Sequence, residues 1–194
     1  IKRRNATAPT RGYAGFPAGT CISVNQEVIH GIPGRRILQE GDIVSVDVVV
    51  QLNGFCSDGA RTYAVGKIAP DIQHLLDVTQ LCLAEGIKQA IIGNRLGDIG
   101  SRVQQIAEAE GYGVVRDYVG HGIGREMHEA PDVPNYGVAG RGLRLVNGMV
   151  LAIEPMITMG THEVYCLNDG WTVVTKDARP SAHFENTVAI TPDG

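Results

Sequence analysis

The sequence predicts an α/β chain of the α+β kind, with antiparallel strands covered by a pair of helices. Three observations predict it. Residues 43–52 alternate strictly and run into Asn53-Gly54, the strongest short signal for a β-hairpin. Two stretches with helical periodicity follow, over 70–93 and from Asp98 to Gly111. The last third carries three strand-like runs, 149–153, 171–175 and 183–190.

Taken in order, residues 1–20 are rich in Gly, Pro, Ala and Thr. Glycines at 12, 15 and 19 suit a loop that presents Tyr13 and Phe16 rather than burying them in a regular element. A short strand over Cys21–Val24, a turn at Asn25 and a second run to His30 come next. His30 stands where a strand runs into Gly31-Ile32-Pro33-Gly34, and a histidine there, taken alone, reads as a surface or turn-capping residue.

In the hairpin, Val44, Val46, Val48, Val50 and Leu52 fall on one face and Ile43, Ser45, Asp47, Val49 and Gln51 on the other. A two-residue loop at Asn53-Gly54 sets Leu52 opposite Phe55, Val49 opposite Asp58 and Asp47 opposite Ala60. Asp47 and Asp58 are then diagonal neighbours on one face, with Cβ atoms about 7–8 Å apart or less. Two carboxylates on a valine-rich strand pair are costly to bury without a cation or donors. Their geometry asks for a positive charge between them.

The first helix starts at Pro70-Asp71, keeps Ile72, Leu75, Leu76, Leu83, Ile87, Ala90 and Ile91 on its apolar stripe, and stops at Gly93. The second places Ile99, Val103, Ile106 and Ala107 on one face. Both read as scaffold, and the Val44–Leu52 face of the hairpin is the expected surface for them to cover.

From Val114 the chain changes character, with His121 and His128 among glycines and prolines. The GHGIG run lacks the third glycine of a phosphate-binding loop, which would also need strand–turn–helix context and a downstream acid. In the last third, Glu154-Pro155 ends the 149–153 run, and the missing proline donor predicts a change of strand partner there. Over 183–190, His183, Glu185 and Thr187 share one face.

Composition bounds the function classes. A net charge of −4 gives no reason to expect nucleic acid or an anionic membrane as principal ligand. Cys21, Cys56, Cys82 and Cys166 form no CxxC pair, which argues against a disulfide framework and fits a reducing, cytoplasmic compartment. No run approaches the roughly 18 apolar residues of a spanning helix.

What remains is a set of ligand-type residues at strand ends or within strands: Asp47, Asp58, His121, Glu154 and Glu185. Oxygen and nitrogen donors without a thiolate pair favour divalent Mn, Fe, Co or Zn. Four carboxylates overcharge a single ion, whereas two ions of +2 balance them, and such metal pairs are a hydrolytic arrangement. Any one of these acids alone reads as salt-bridged or solvated. Asp47 and Asp58, forced onto one face, do not.

The segments VNQEVIHGIP, VSVDVVVQLNGFCSDGART, GHGIGREMHEAP, LAIEPMIT, DGWTVVTKD and SAHFENTVAIT resemble, in chain order, the motifs of bacterial-type (type I) methionine aminopeptidases. The resemblance spans nearly the whole chain. It implies the pita-bread fold, a curved antiparallel sheet covered by helices and built as two pseudo-symmetric halves. It implies a monomeric, cytoplasmic metallo-aminopeptidase that removes the initiator methionine from peptides and nascent chains, also at the ribosome, when the next residue is small. Its five metal ligands carry over to Asp47, Asp58, His121, Glu154 and Glu185, with Asp58 and Glu185 bridging two ions, His121 and Glu154 completing one, and Asp47 the other. A water or hydroxide bridging the ions would attack the first peptide carbonyl, with Glu154 moving the proton. His128 then serves the developing oxyanion and His30 the amide beyond it. Tyr13, Phe16, Cys21, Met127 and Trp171 fall where similar enzymes line the methionine pocket, although Trp171 alone reads equally as core.

The rivals are a proline-directed or creatinase-like peptidase of the same fold and a non-catalytic peptide-binding module. HGIGREMHE and DGWTVVTKD favour the methionine enzymes over the first, and the full ligand set disfavours the second. Similar enzymes carry a helical segment before the position of Ile1 and a further strand after Gly194. Residues 1–194 are therefore expected to be a single catalytic domain lacking both.

Overall fold

The computed structural model describes residues 1–193. After short 3₁₀ turns at Lys2–Arg4 and Tyr13–Gly15 come β1 (Cys21–Val24) and β2 (Glu27–Ile29), joined at Asn25 with φ +57°. The hairpin forms β3 (Ile43–Asp47), β4 (Val50–Leu52), β5 (Phe55–Ser57) and β6 (Ala60–Ala64). Its register is the one the Asn53-Gly54 turn dictates: Leu52 pairs with Phe55 and Asp47 with Ala60. The ladder is interrupted where Val49 and Asp58 would pair, although the Val48 amide still donates to the Gly59 carbonyl at 3.1 Å. The opening frees Asp58 to turn toward other elements.

Two helices follow, α1 (Pro70–Lys88) and α2 (Leu96–Ala109). Proline at the first turn of α1 costs no hydrogen bond, and Asp71 favours the positive helix end. The helix stops at Lys88 and not at Gly93. Gly93, with φ +96°, lies in the turn beyond, where its amide donates to the Leu145 carbonyl. In α2, Asp98 reaches back to accept the Arg95 amide at 2.7 Å, satisfying an otherwise orphaned donor.

The remaining strands are β7 (Gly113–Val114), β8 (Gly120–Gly122), β9 (Glu129–Val133), β10 (Val150–Ile153), β11 (Met156–Thr158), β12 (Val164–Cys166), β13 (Val173–Thr175), β14 (Ser181–His183) and β15 (Asn186–Ala189). The sheets run in the orders β1-β3-β6, β15-β10-β8-β9, β14-β11-β7 and β12-β13-β2, with β4-β5 alone, and all pairs are antiparallel. As expected, the partner changes at Glu154-Pro155: β10 pairs with β8 and β15, β11 with β7 and β14. The single strand expected over 183–190 is in fact two. Ile153 pairs with Asn186 and Met156 with His183, so one register continues across the break and sets Glu154 opposite Glu185.

The helices do not take the valine face of the hairpin as their main partner. Leu75, Leu83, Ile99 and Val103 pack with Leu151, Ile153, Ile157, Ala182 and Phe184, and the hairpin joins that core through Ile43, from its other face. Leu52 is 44% exposed. Alternation fixes which side chains share a face, but the covering element goes where the apolar surface is more continuous, and β10, β11 and β14 are buried almost throughout.

Candidate metal centre

The first and last thirds of the chain meet along a seam. The Thr187 amide donates to the Asp58 carbonyl at 3.2 Å, and the Glu185 amide to the Ala60 carbonyl at 2.9 Å. The Thr187 hydroxyl accepts the Asp58 amide at 2.8 Å. Arg61 clamps the same seam, donating to the carbonyls of Ala60 and Glu185 and to Asn186 Oδ1. Asp58 and Glu185 thereby approach from opposite halves.

His121 enters on β8, between β10 and β9. Glycines flank it because neighbouring backbones run close. A Cβ on Gly120 would collide with the Ala152 carbonyl oxygen, and one on Gly122 with that of Ala130. The GHG glycines thus serve strand packing around a ligand-type histidine. Gly120→Ala is expected to destabilise the protein by about 3 kcal/mol or more, because overpacking against backbone has no soft neighbour to yield. Thermal unfolding of the variant checks it.

His121 Nδ1 donates to the Gly122 carbonyl at 2.8 Å, which turns Nε2 toward the carboxylates. Nε2 lies 3.5 Å from Glu154 and 4.0 Å from Asp58. Ligand atoms of Asp58, His121 and Glu185 all fall within 4.8 Å of one another. Asp47, Asp58, His121, Glu154 and Glu185 line one cavity of ≈ 280 Å³, together with His30 and His128. All five residues expected as ligands are brought together.

The electrostatics of this cluster fit a resident cation. Burial pushes Glu154 up to about 8, outweighing the attraction of His121. Burial, reinforced by neighbouring carboxylates, holds Asp47 and Glu185 well above the usual carboxylate range, and burial also raises Asp58. Among the described residues no Lys or Arg forms an ion pair with any of the four. Glu185 Oε1 is buried with no hydrogen-bond partner. Acids packed this way are stabilised by divalent ions, and the all-oxygen-and-nitrogen donor set suits them.

Beside the cluster lies a second cavity of ≈ 130 Å³, and the two share Asp47, Asp58, His30 and His128. The five residues expected around the methionine side chain, Tyr13, Phe16, Cys21, Met127 and Trp171, all line it. Phe16 corrects the expectation of a presented ring: it is 2% exposed and wedged edge-on against Trp171 at 5.1 Å. Trp171 lies ahead of β13 and also meets His30, at 6.3 Å. His30 has φ +59°, a strained backbone for a non-glycine residue, of the kind that gathers at functional sites. Burial lowers both His30 and His128 to about 4, leaving them neutral near pH 7.

Thr10 and Val49 also line the smaller cavity, and Tyr118 and Asp132 the larger, and none was picked out from sequence. His183 shares a face with Glu185 in the sequence pattern, which gives it no role. It is buried, with Nε2 3.5 Å from Glu154 but not hydrogen-bonded. Asp132 pairs with His121 in the register of β8 and β9, which no pattern in the sequence specifies.

The strand scaffold gathers these donors into a candidate metal site, and the chain belongs to metallopeptidase family M24, whose model it matches over residues 2–192. It is 56% identical to the methionine aminopeptidase of Clostridium acetobutylicum over 195 residues, which span 100% of this chain and 78% of that one. Its structure superposes on the crystal structure of methionine aminopeptidase from Rickettsia prowazekii with a TM-score of 0.98 at 45% identity, covering 100% and 79% of the two chains. For the prolidase from Pyrococcus furiosus the TM-score is 0.70 at 26% identity, covering 89% and 46%. Within family M24 the chain belongs to the methionine aminopeptidases, with their pita-bread fold.

Proposed function

We propose that residues 1–194 form one catalytic unit that removes N-terminal methionine from peptides and nascent chains, the second residue being small. The observation that carries this is the junction of the two cavities: a small, mainly apolar pocket opens directly onto a cluster of four carboxylates and an imidazole. The pocket holds the side chain of the terminal residue, so the first peptide bond lies over the cluster.

Asp47, Asp58, His121, Glu154 and Glu185 would hold two divalent ions drawn from Co, Mn, Fe or Zn. Such ions supply Lewis acidity and acidify water toward neutral pH. Glu154 takes up a proton from the attacking water and returns it to the departing amine. His128 donates a hydrogen bond to the oxygen of the scissile carbonyl, and His30 contacts the amide beyond it. Met127 gives the pocket a polarisable, adaptable wall.

No helix of the described residues is long and apolar enough to cross a membrane. Four unpaired cysteines, three of them buried, support work in a reducing, cytoplasmic compartment. Action as a monomer on nascent chains at the ribosome belongs to the same proposal.

Release of Met from Met-Gly-Met-Met, assayed with Co or Mn, tests the activity. Full peptide affinity without release would instead establish a non-catalytic binding module. Metal analysis of protein purified intact identifies the ions. His128→Ala is expected to lower kcat/KM by about 10²–10³-fold with the metals retained. Unchanged kcat/KM would remove the oxyanion role.

A further inference from the structure

We propose that Tyr13 is a positioning residue for His128, its hydroxyl fixing which ring nitrogen of His128 carries the proton. Tyr13 Oη lies 2.9 Å from His128 Nδ1, across 115 residues of sequence. The rings stand 5.2 Å apart at 59°, so the contact is made through the hydroxyl and not by stacking. The inference rests on the reading that His128 serves the scissile carbonyl.

A neutral imidazole has one donor and one acceptor nitrogen, and the partner of one decides the role of the other. With Nδ1 facing the tyrosine, Nε2 is left for the substrate. To donate there, Nε2 must hold the proton, so Nδ1 accepts and Tyr13 donates. The opposite assignment would turn a lone pair toward a carbonyl oxygen. A phenol donates readily and costs nothing to orient when its ring is already placed.

The loop is built to place it. The Gly12 amide donates to the Phe16 carbonyl and the Phe16 amide to the Tyr13 carbonyl, both at 2.8 Å, closing the turn on itself. Phe16 anchors that turn against Trp171, which in turn meets His30. One loop therefore touches both histidines of the site, through Tyr13 directly and through Phe16 by way of Trp171. His128 is otherwise braced by His121, whose ring lies 4.4 Å away and whose own Nδ1 is committed to Gly122.

Tyr13→Phe keeps the ring that lines the pocket and deletes only the hydroxyl. The expected result is a fall of about tenfold in kcat on a Met-initiated peptide with KM within about twofold, while metal content and Tm stay unchanged. Nitrogen NMR of the His128 ring should report a single tautomer with unprotonated Nδ1 in the parent and a mixture in the variant. In a double variant with His128→Ala, removing the hydroxyl should bring no further loss. An undiminished kcat in Tyr13→Phe, an unchanged tautomer, or a fully additive loss in the double variant would overturn the inference. An unimpaired His128→Ala would instead defeat the reading beneath it.

Discussion

Asp58→Asn is expected to lower Met release from Met-Gly-Met-Met by at least about 10³-fold, the scale on which loss of a group organising a reacting centre is felt. The variant should also lose affinity for both metal ions, because Asp58 lies where the two halves of the chain join and within reach of both His121 and Glu185. Asp47→Asn should weaken one ion more than the other, since Asp47 stands outside that closest group of donors. Titration of each variant with Mn, read as ions bound per chain, separates the cases. Equal loss of both ions in both variants would show that the carboxylates are equivalent. Because the Asp58 backbone is tied to Thr187 by its own amide and carbonyl, the side-chain change leaves the seam in place.

Stripping the metals should make stability depend on pH in a direction opposite to that of most proteins. A carboxyl whose folded pKa is raised binds its proton more tightly folded than unfolded. Its stabilising contribution is complete below the unfolded pKa and is lost as pH rises through the folded one. For Glu154 that window runs from 4.5 to about 8, and Asp47 and Glu185 add to it in the same direction. His30, His128 and His183 act the other way: their folded pKa of about 4 lies below the ordinary 6.5, so stability from them grows between those values as pH rises. The opposing effects overlap below pH 6.5. Above it these three histidines no longer offset Glu154, and the Tm of chelator-treated protein should fall by on the order of 5 °C between about pH 6.5 and 8. Adding Mn or Co should abolish that fall, because ions hold the same carboxylates in their ionised form. A flat or rising Tm in the metal-free protein would mean that the cluster is solvated and unstrained.

Much of the site was legible because its residues lie in short, locally determined frames. Asn53-Gly54 set the register that puts Asp47 and Asp58 on one face, and the structure keeps it. Pro155 announced the change of partner that leaves Glu154 at a break in the ladder. The second break, opposite it at Glu185, has no proline to mark it in the sequence, and the Glu185 amide there is taken by the Ala60 carbonyl across the seam. The end of α1 also departs from the sequence pattern: Gly93 does adopt the left-handed backbone of a stop, but in a turn beyond the helix, where its amide donates to the Leu145 carbonyl.

The sequence by itself determined the two helices, the hairpin register, the kinds of donor available and, through ordered motifs, the family. Turn sterics and side-chain periodicity act between neighbours, so they are written in neighbours. Only the tertiary structure decided that Glu185 and Thr187 bond to the backbone of Ala60 and Asp58. It alone decided that the helices cover β10, β11 and β14, and that Tyr13 crosses to His128. Those contacts depend on which apolar surfaces find each other across more than a hundred residues, a property of the packed whole that no local pattern encodes.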